Sequence, residues 1–183
     1  MSQSEVDKVV ALIKRDPMRT EALNWVYKLK LPQCYIAAGF VRNLVWDSLH
    51  NITPATPLND ADVIYFDPTE SDIDACAKYE AQLSHSMPQL RWQVRNQATM
   101  HIRNGDEPYK STVHAMSYWP EKETAVAVRQ TSVNQYQVAA AFGLECLFNF
   151  SITHNPKRSR AIFDHRVNCK GWLSRWPSLN VAI

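Results

Sequence analysis

The amino-acid sequence predicts an α+β fold, a mixed β-sheet flanked by helices, with two helices ahead of it at the N-terminus. Three observations lead there. Apolar residues recur at helical spacing up to Leu31 and then contract into strand-length runs. Strand and helix patterns alternate through the first half and a strand pair follows, which builds a layered sheet domain rather than a bundle. Of 183 residues, 45% are hydrophobic and 21% charged, a globular composition that excludes wholesale disorder.

Taken in order, Val6, Val9, Val10 and Ile13 define one apolar stripe, so a helix is expected over Ser4–Lys14 with Ser4 as its N-cap. Asp16-Pro17 ends it and starts a second, carried by Ala22, Leu23, Val26, Tyr27 and Leu29 as far as Leu31-Pro32. Cys34–Ala38 is a short apolar run of strand length, stopped by Gly39, and Val41–Leu49 returns to helical spacing. A loop with two prolines, His50–Asn59, leads into a β-rich run, Asp60–Phe66. Ser71–Ser86 reads as a helix and Leu90–Val94 as a strand. Thr124–Arg129 and Tyr136–Ala140 read as two strands around Thr131–Asn134, and Gly143–Phe150 as a short apolar helix.

Neither an internal repeat nor a long linker divides the chain, so residues 1–183 are expected to form a single domain with helices 4–31 packed on it. No apolar run approaches the ~18 residues that span a bilayer. The opening MSQSEVDKVV lacks the basic-then-apolar layout of a signal peptide. A soluble, cytoplasmic protein without a membrane partner is expected. Cys34, Cys76, Cys146 and Cys169 are widely spaced, which suggests reduced thiols, and neither CxxC nor HExxH supports zinc.

Net charge is only +2, too mild to argue for nucleic acid by itself. Its distribution is uneven. Seven acidic residues stand against Lys78 between Pro57 and Glu80, and six bases against Asp164 between Lys157 and Arg175. A carboxylate-rich middle suits a cation site and a basic tail suits an anionic partner, although a solvated surface accounts for either.

Two adjacent pieces carry chemistry. At the junction Ile36–Asn43, Gly39 permits positive φ and close approach of a ligand to the backbone. A helix starting there aims free N–H groups at an anion, with Arg42 in its first turn as a phosphate contact. A single Gly is more often an ordinary tight turn. In Asp60-Ala61-Asp62, the two carboxylates project from one face of a strand, where they repel unless a cation lies between them. Mg²⁺ prefers such hard oxygen ligands, whereas two acids at a strand end are otherwise simply solvated. Together the pieces meet both needs of nucleotide chemistry, an anchor for a triphosphate and a metal to neutralise it.

Ala38-Gly39-Phe40-Val41-Arg42-Asn43 followed by Asp60-Ala61-Asp62-Val63 resembles the signature of the polymerase-β-like nucleotidyltransferase superfamily, most closely its tRNA-CCA-adding and bacterial poly(A) polymerase branch. Ala38–Asp47, Leu58–Pro68, Trp92–His101, Trp119–Arg129 and Phe142–Phe148 extend the likeness to a bacterial nucleotidyltransferase-like family within it. The resemblance implies a nucleotidyltransferase-like mixed sheet, Asp60 and Asp62 as catalytic Mg²⁺ (or Mn²⁺) ligands, and Gly39 and Phe40 at the nucleotide turn. It also implies a third carboxylate from a later strand. Phe40 stands where Gly or Ser is usual, and Asn43 where the CCA-adding branch has an acid. The expected third strand, Leu90–Asn96, has no acid, so that ligand is missing, is supplied by Gln93 or Asn96, or is donated from elsewhere, with Asp106, Glu121 and Glu123 available.

Arg95, Asn96 and Arg129 are further candidates for nucleotide contacts, and Trp92, Tyr109, Tyr118 and Trp119 for stacking a base, with packing roles as the alternative. The expected activity is transfer of a nucleoside monophosphate from an NTP to a hydroxyl on RNA, a small molecule or a protein. A catalytically inactive nucleotide- or RNA-binding module on the same fold is the alternative.

Overall fold

The computed structural model describes residues 1–182. Helix α1 (Gln3–Lys14) is capped by Ser2 rather than Ser4: the Ser2 hydroxyl accepts from the Glu5 N–H at 3.3 Å, and the Glu5 carboxylate accepts from the Ser2 N–H at 3.2 Å. This reciprocal pair satisfies two end amides at once, which a Ser4 cap would not. Helix α2 (Pro17–Lys28) starts under an Asp16 cap with Pro17 in its first turn, and ends before Lys30 turns left-handed at φ 56°.

The central elements follow the predicted order: β1 (Tyr35–Ala37), α3 (Gly39–Leu49), β2 (Asp60–Tyr65), α4 (Ala75–Ser86) and β3 (Arg91–Asn96). Two short helices that the apolar pattern does not mark come next, α5 (Gln97–Asn104) and α6 (Thr112–Met116). In α5 the reason is visible, because Ile102 is 75% exposed and gives no inward stripe. Then come β4 (Val126–Ser132), β5 (Gln135–Ala140), α7 (Glu145–Phe148), β6 (Ser151–Ile152), α8 (Arg160–Lys170), α9 (Trp172–Arg175) and β7 (Asn180–Val181). Helix α8 buries only Phe163 and Val167, too thin a stripe among charged residues to announce a helix.

Among the described residues, five strands form a mixed sheet in the order β3-β2-β1-β4-β5. Within that sheet only β2 and β3 run parallel, joined through α4, and β1 lies antiparallel to both neighbours, while β6 and β7 form a separate parallel pair. Ile36, Val63, Val94, Val126, Val128 and Val138 point to one face and share a core with Val9, Ile13, Leu23 and Trp46 of α1–α3. Burying those apolar side chains is the main drive holding the N-terminal helices to the sheet. On the other face Tyr35, Ala37, Ile64, Ala127 and Ala139 form a smaller cluster with Met116. The small residues leave space there. The four cysteines are unpaired, and among the described residues no helix is long and apolar enough to cross a membrane.

Candidate active site

The turn from β1 into α3 is sharper than the sequence suggests, and a different residue bends it. Ala38, not Gly39, takes the left-handed conformation, at φ 57° and ψ −123°, while its N–H donates to the Val126 carbonyl at 2.9 Å. Gly39 is the first helical residue, and its role is space: a Cβ there would lie 3.3 Å from Asn43 Nδ2 and 3.6 Å from the Arg42 guanidinium. At the start of α3 the Val41 and Arg42 amides donate to the Ala38 carbonyl at 3.1 and 2.9 Å, and the amides of Gly39 and Phe40, which precede them, lie at its positive dipole end.

Phe40 sends its ring into the core, 1% exposed, and its carbonyl accepts from Arg19 Nε at 2.8 Å. The bulk that departs from the family's small residue therefore faces away from the bend, and only the Phe40 backbone remains near it. Arg42 is also enclosed. Its guanidinium donates to Thr124 Oγ1 at 2.6 Å and Asn43 Oδ1 at 2.9 Å, and lies 5.0 Å from the Trp46 ring and 4.5 Å from that of Trp172. Burial lowers its pKa to about 10, and Nε has no acceptor.

On β2, Asp60 and Asp62 share a face. In the sheet register Asp62 lies between Ala37 of β1 and Gln93 of β3. Asp60 is gripped by Arg91, whose Nε and second nitrogen donate to its two oxygens at 2.8 and 2.9 Å. Burial, and then repulsion from Asp60, push the Asp62 carboxyl above its usual range against the pull of Arg42, Lys170 and Arg166.

Gly39, Arg42, Asn43, Asp60 and Asp62 line one cavity of about 260 Å³. Pro57–Asn59 and Thr124 also line it, and one wall comes from the C-terminal helices through Arg166, Lys170, Trp172 and Arg175. A second cavity of about 260 Å³ adjoins it and holds Gln93, Arg95, Gln97, Asn104 and Trp119. The two share Ala38, Asp62, Thr124 and Arg166, so Asp62 stands on their common boundary. Arg166 is fixed in that boundary by Glu121, which accepts from its Nε at 2.5 Å and from its second nitrogen at 3.2 Å.

Other sequence candidates lie elsewhere. Asn96 points to the opposite face from Gln93, where it caps α5 and is tied to Asp67 and Glu70. Arg129 lies over the Tyr35 ring and lines a different cavity, of about 370 Å³, beside α2. Arg95 reaches the second cavity while paired with Glu80 at 2.5 Å. Trp92 packs in the core and donates to the Met87 carbonyl. Tyr109 is held by Asp106, and Tyr118 lies beneath Lys157, leaving Trp119 as the aromatic candidate that lines the cleft.

The candidates for a third carboxylate are likewise engaged, save that Glu123 Oε1 is buried without a partner among the described residues. Asp106 pairs with Arg158, Glu121 with Arg166, and Glu123 accepts from the Thr153 N–H. Among the described residues no three His, Cys, Asp or Glu side chains gather as a metal site. Asp60 and Asp62 nevertheless suit Mg²⁺, which is commonly held by one or two carboxylates together with substrate phosphates, and a cation between them would relieve the repulsion that adds to burial in raising Asp62.

The residues that sequence reasoning missed are Thr124, Arg166, Lys170, Trp172 and Arg175 as parts of one wall. The run of bases after Lys157 was the available signal, but nothing in its spacing tells which of them turn inward.

A family model described as Nucleotidyltransferase matches residues 24–181. An NMR structure described as a CCA-adding enzyme head domain is 28% identical, covers 96% of this chain and 95% of that one, and superposes with a TM-score of 0.83. A CCA-adding enzyme in complex with CTP is 13% identical at a TM-score of 0.60, covering 97% of this chain. A tRNA-processing enzyme complex is 14% identical at 0.55, covering 88%. The match spans only 43% of each of those two longer chains, and both show the fold alone. No curated protein matches the sequence.

Proposed function

This chain belongs to the nucleotidyltransferase family, and from that premise we propose that it transfers a nucleoside monophosphate from an NTP to a hydroxyl acceptor. The new bond joins the acceptor oxygen to the α-phosphorus, the bond from that phosphorus to the bridging oxygen breaks, and pyrophosphate and the hydroxyl proton leave. The observation that carries the reading is that Asp60, Asp62 and the start of α3 at Gly39 line one cavity. Mg²⁺ or Mn²⁺, held by Asp60 and Asp62, would supply charge neutralisation at the phosphates. Free amides at the start of α3 suit an anionic group. Arg42, held against the Trp46 and Trp172 rings, adds fixed positive charge without leaving its place. Ala38 and Thr124 border the point where donor and acceptor would meet.

CTP is the first donor to test, because a similarly folded CCA-adding enzyme is described with it. RNA, a small molecule and a protein hydroxyl stay open as acceptors. A cytoplasmic setting suits both an NTP donor and four unpaired thiols. Incubation with each α-labelled NTP and Mg²⁺ or Mn²⁺ tests the reading: label transfer with pyrophosphate release is expected from the wild type, and loss in Asp60→Asn and Asp62→Asn. Equal Mg²⁺-dependent NTP binding in wild type and both variants would remove the metal role.

A second reading, a nucleotide-binding module without turnover, is favoured by one observation. Gln93 stands beside Asp62 in the register, and its amide is no general base. NTP binding without pyrophosphate release across a broad acceptor panel would support it.

A further inference from the structure

We infer that the α8–α9 arm is the polyphosphate grip of this site, with Lys170 and Arg175, rather than Arg42, holding the β- and γ-phosphates. The inference rests on the nucleotidyl-transfer reading and names the residues that receive its leaving group. The first observation concerns Arg42, which is 6% exposed and committed to Thr124, Asn43 and two indole rings. It has little freedom to swing out and meet an incoming ligand. Its Nε is itself buried and without an acceptor among the described residues, so this donor is not presented to the cavity.

The second observation concerns the arm. Lys170 and Arg175 are exposed, line that cavity, and among the described residues form no salt bridge and donate no side-chain hydrogen bond. Arg166 is already held by Glu121, so its position is preset while part of its charge is neutralised. Gly171 explains how bases from successive helices face one space. At φ 64° it ends α8 and begins α9, breaking the helix so that Trp172 and Trp176 turn inward against Trp46 while Arg175 reaches the rim.

Asp60 and Asp62 line the same cavity, and the charges of Lys170 and Arg166 already act on the Asp62 carboxyl. A ligand with negative charge at one end, and a metal-binding phosphate at the other, satisfies both sides. The triphosphate group of a nucleoside triphosphate has that form, and inorganic tripolyphosphate is its simplest probe.

Calorimetric titration of tripolyphosphate without divalent metal reads the wall separately from the metal site. The Lys170→Ala/Arg175→Ala double variant is expected to bind at least about tenfold more weakly, since each base contributes a charge-assisted contact. The expected salt dependence of binding is correspondingly shallower. Lys14→Ala/Arg15→Ala, which removes the same charge from exposed positions near the end of α1, is expected to bind within about twofold of wild type. Asp60→Asn/Asp62→Asn is expected to retain or strengthen metal-free binding, because it removes repulsion, even where Mg²⁺-dependent NTP binding is lost.

Absence of tripolyphosphate binding to the wild type, unchanged affinity in Lys170→Ala/Arg175→Ala, or an equal loss in the α1 control would each overturn the inference. Failure of the transfer reading has a separate signature, Mg²⁺-dependent NTP binding that is indifferent to Asp60 and Asp62. Circular dichroism of each variant checks that the fold is retained.

Discussion

Arg91 and Asp60 stand opposite each other in the parallel β2–β3 pair, and the guanidinium occupies both oxygens of the carboxylate. The acid proposed as a metal ligand thus already has a cationic partner. Both side chains are well exposed, at 73% for Arg91 and 44% for Asp60, so the pair is weak and exchangeable. Arg91→Ala should therefore tighten Mn²⁺ binding by about two- to fivefold. Titration of Mn²⁺ by electron paramagnetic resonance measures this, and weaker binding in the variant would mean that Arg91 orients the site instead of competing for it.

Ala38 holds a backbone conformation that glycine adopts without strain. Ala38→Gly should relieve local strain and raise stability by about 1 kcal/mol, even after the added freedom of the unfolded chain. At Gly39 the expectation differs. A methyl there meets Asn43 at 3.3 Å, and the Asn43 side chain can yield because only its Oδ1 is engaged. Gly39→Ala should leave the melting temperature within about 3 °C of wild type but weaken NTP binding by crowding the first amides of α3. Thermal melts and NTP titrations of both variants separate strain from access.

Asp47 is buried and accepts three neutral donors: the Thr56 N–H and Thr56 Oγ1, each at 2.7 Å, and Trp176 Nε1 at 2.8 Å. It links α3 to the following loop and to the segment after α9. Asp47→Ala should cost about 3 kcal/mol, because it strands buried donors. Asp47→Asn, which keeps an acceptor and the volume, should cost less. Urea unfolding reports both, and the cost should appear as a lower midpoint with little change in slope.

Glu123 is 1% exposed, and burial raises its carboxyl pKa above the ordinary value of 4.5. The folded state therefore holds the proton more tightly than the unfolded chain. Stability from this group is full below pH 4.5 and declines as pH rises from there through the folded value. Glu123→Gln removes that decline, keeping an oxygen for the Thr153 N–H. Its melting temperature should exceed that of wild type by about 2–4 °C at pH 7.5, and the difference should close towards pH 4.5. A constant difference across that range would assign the effect to packing.

The order of elements from α1 to β3 was legible because each buries a periodic apolar stripe: Val9 and Ile13 in α1, Val63 and Tyr65 in β2, Trp92 and Val94 in β3. The α5, α6 and α8 helices were not, since short or mostly charged segments carry little of that signal. The two carboxylates and Gly39 could be read as one site because a strand's alternation and a helix start are local geometry. Phe40 could not be placed, because whether a residue in the first turn of a helix faces core or cavity depends on what packs against it.

By itself, then, the sequence determined a mixed α+β domain and the pairing of an Asp-x-Asp strand with a glycine-started helix, both properties of short stretches of chain. Tertiary structure alone decided which charges surround that pair. It drew Arg166, Lys170 and Arg175 from more than a hundred residues away to one wall, turned Asn96 and Arg129 elsewhere, and put Gln93 where an acid was sought. The physical reason is that electrostatic neighbourhoods depend on distance through space, and the break at Gly171 and the packing of Trp172 and Trp176 on Trp46 set that distance.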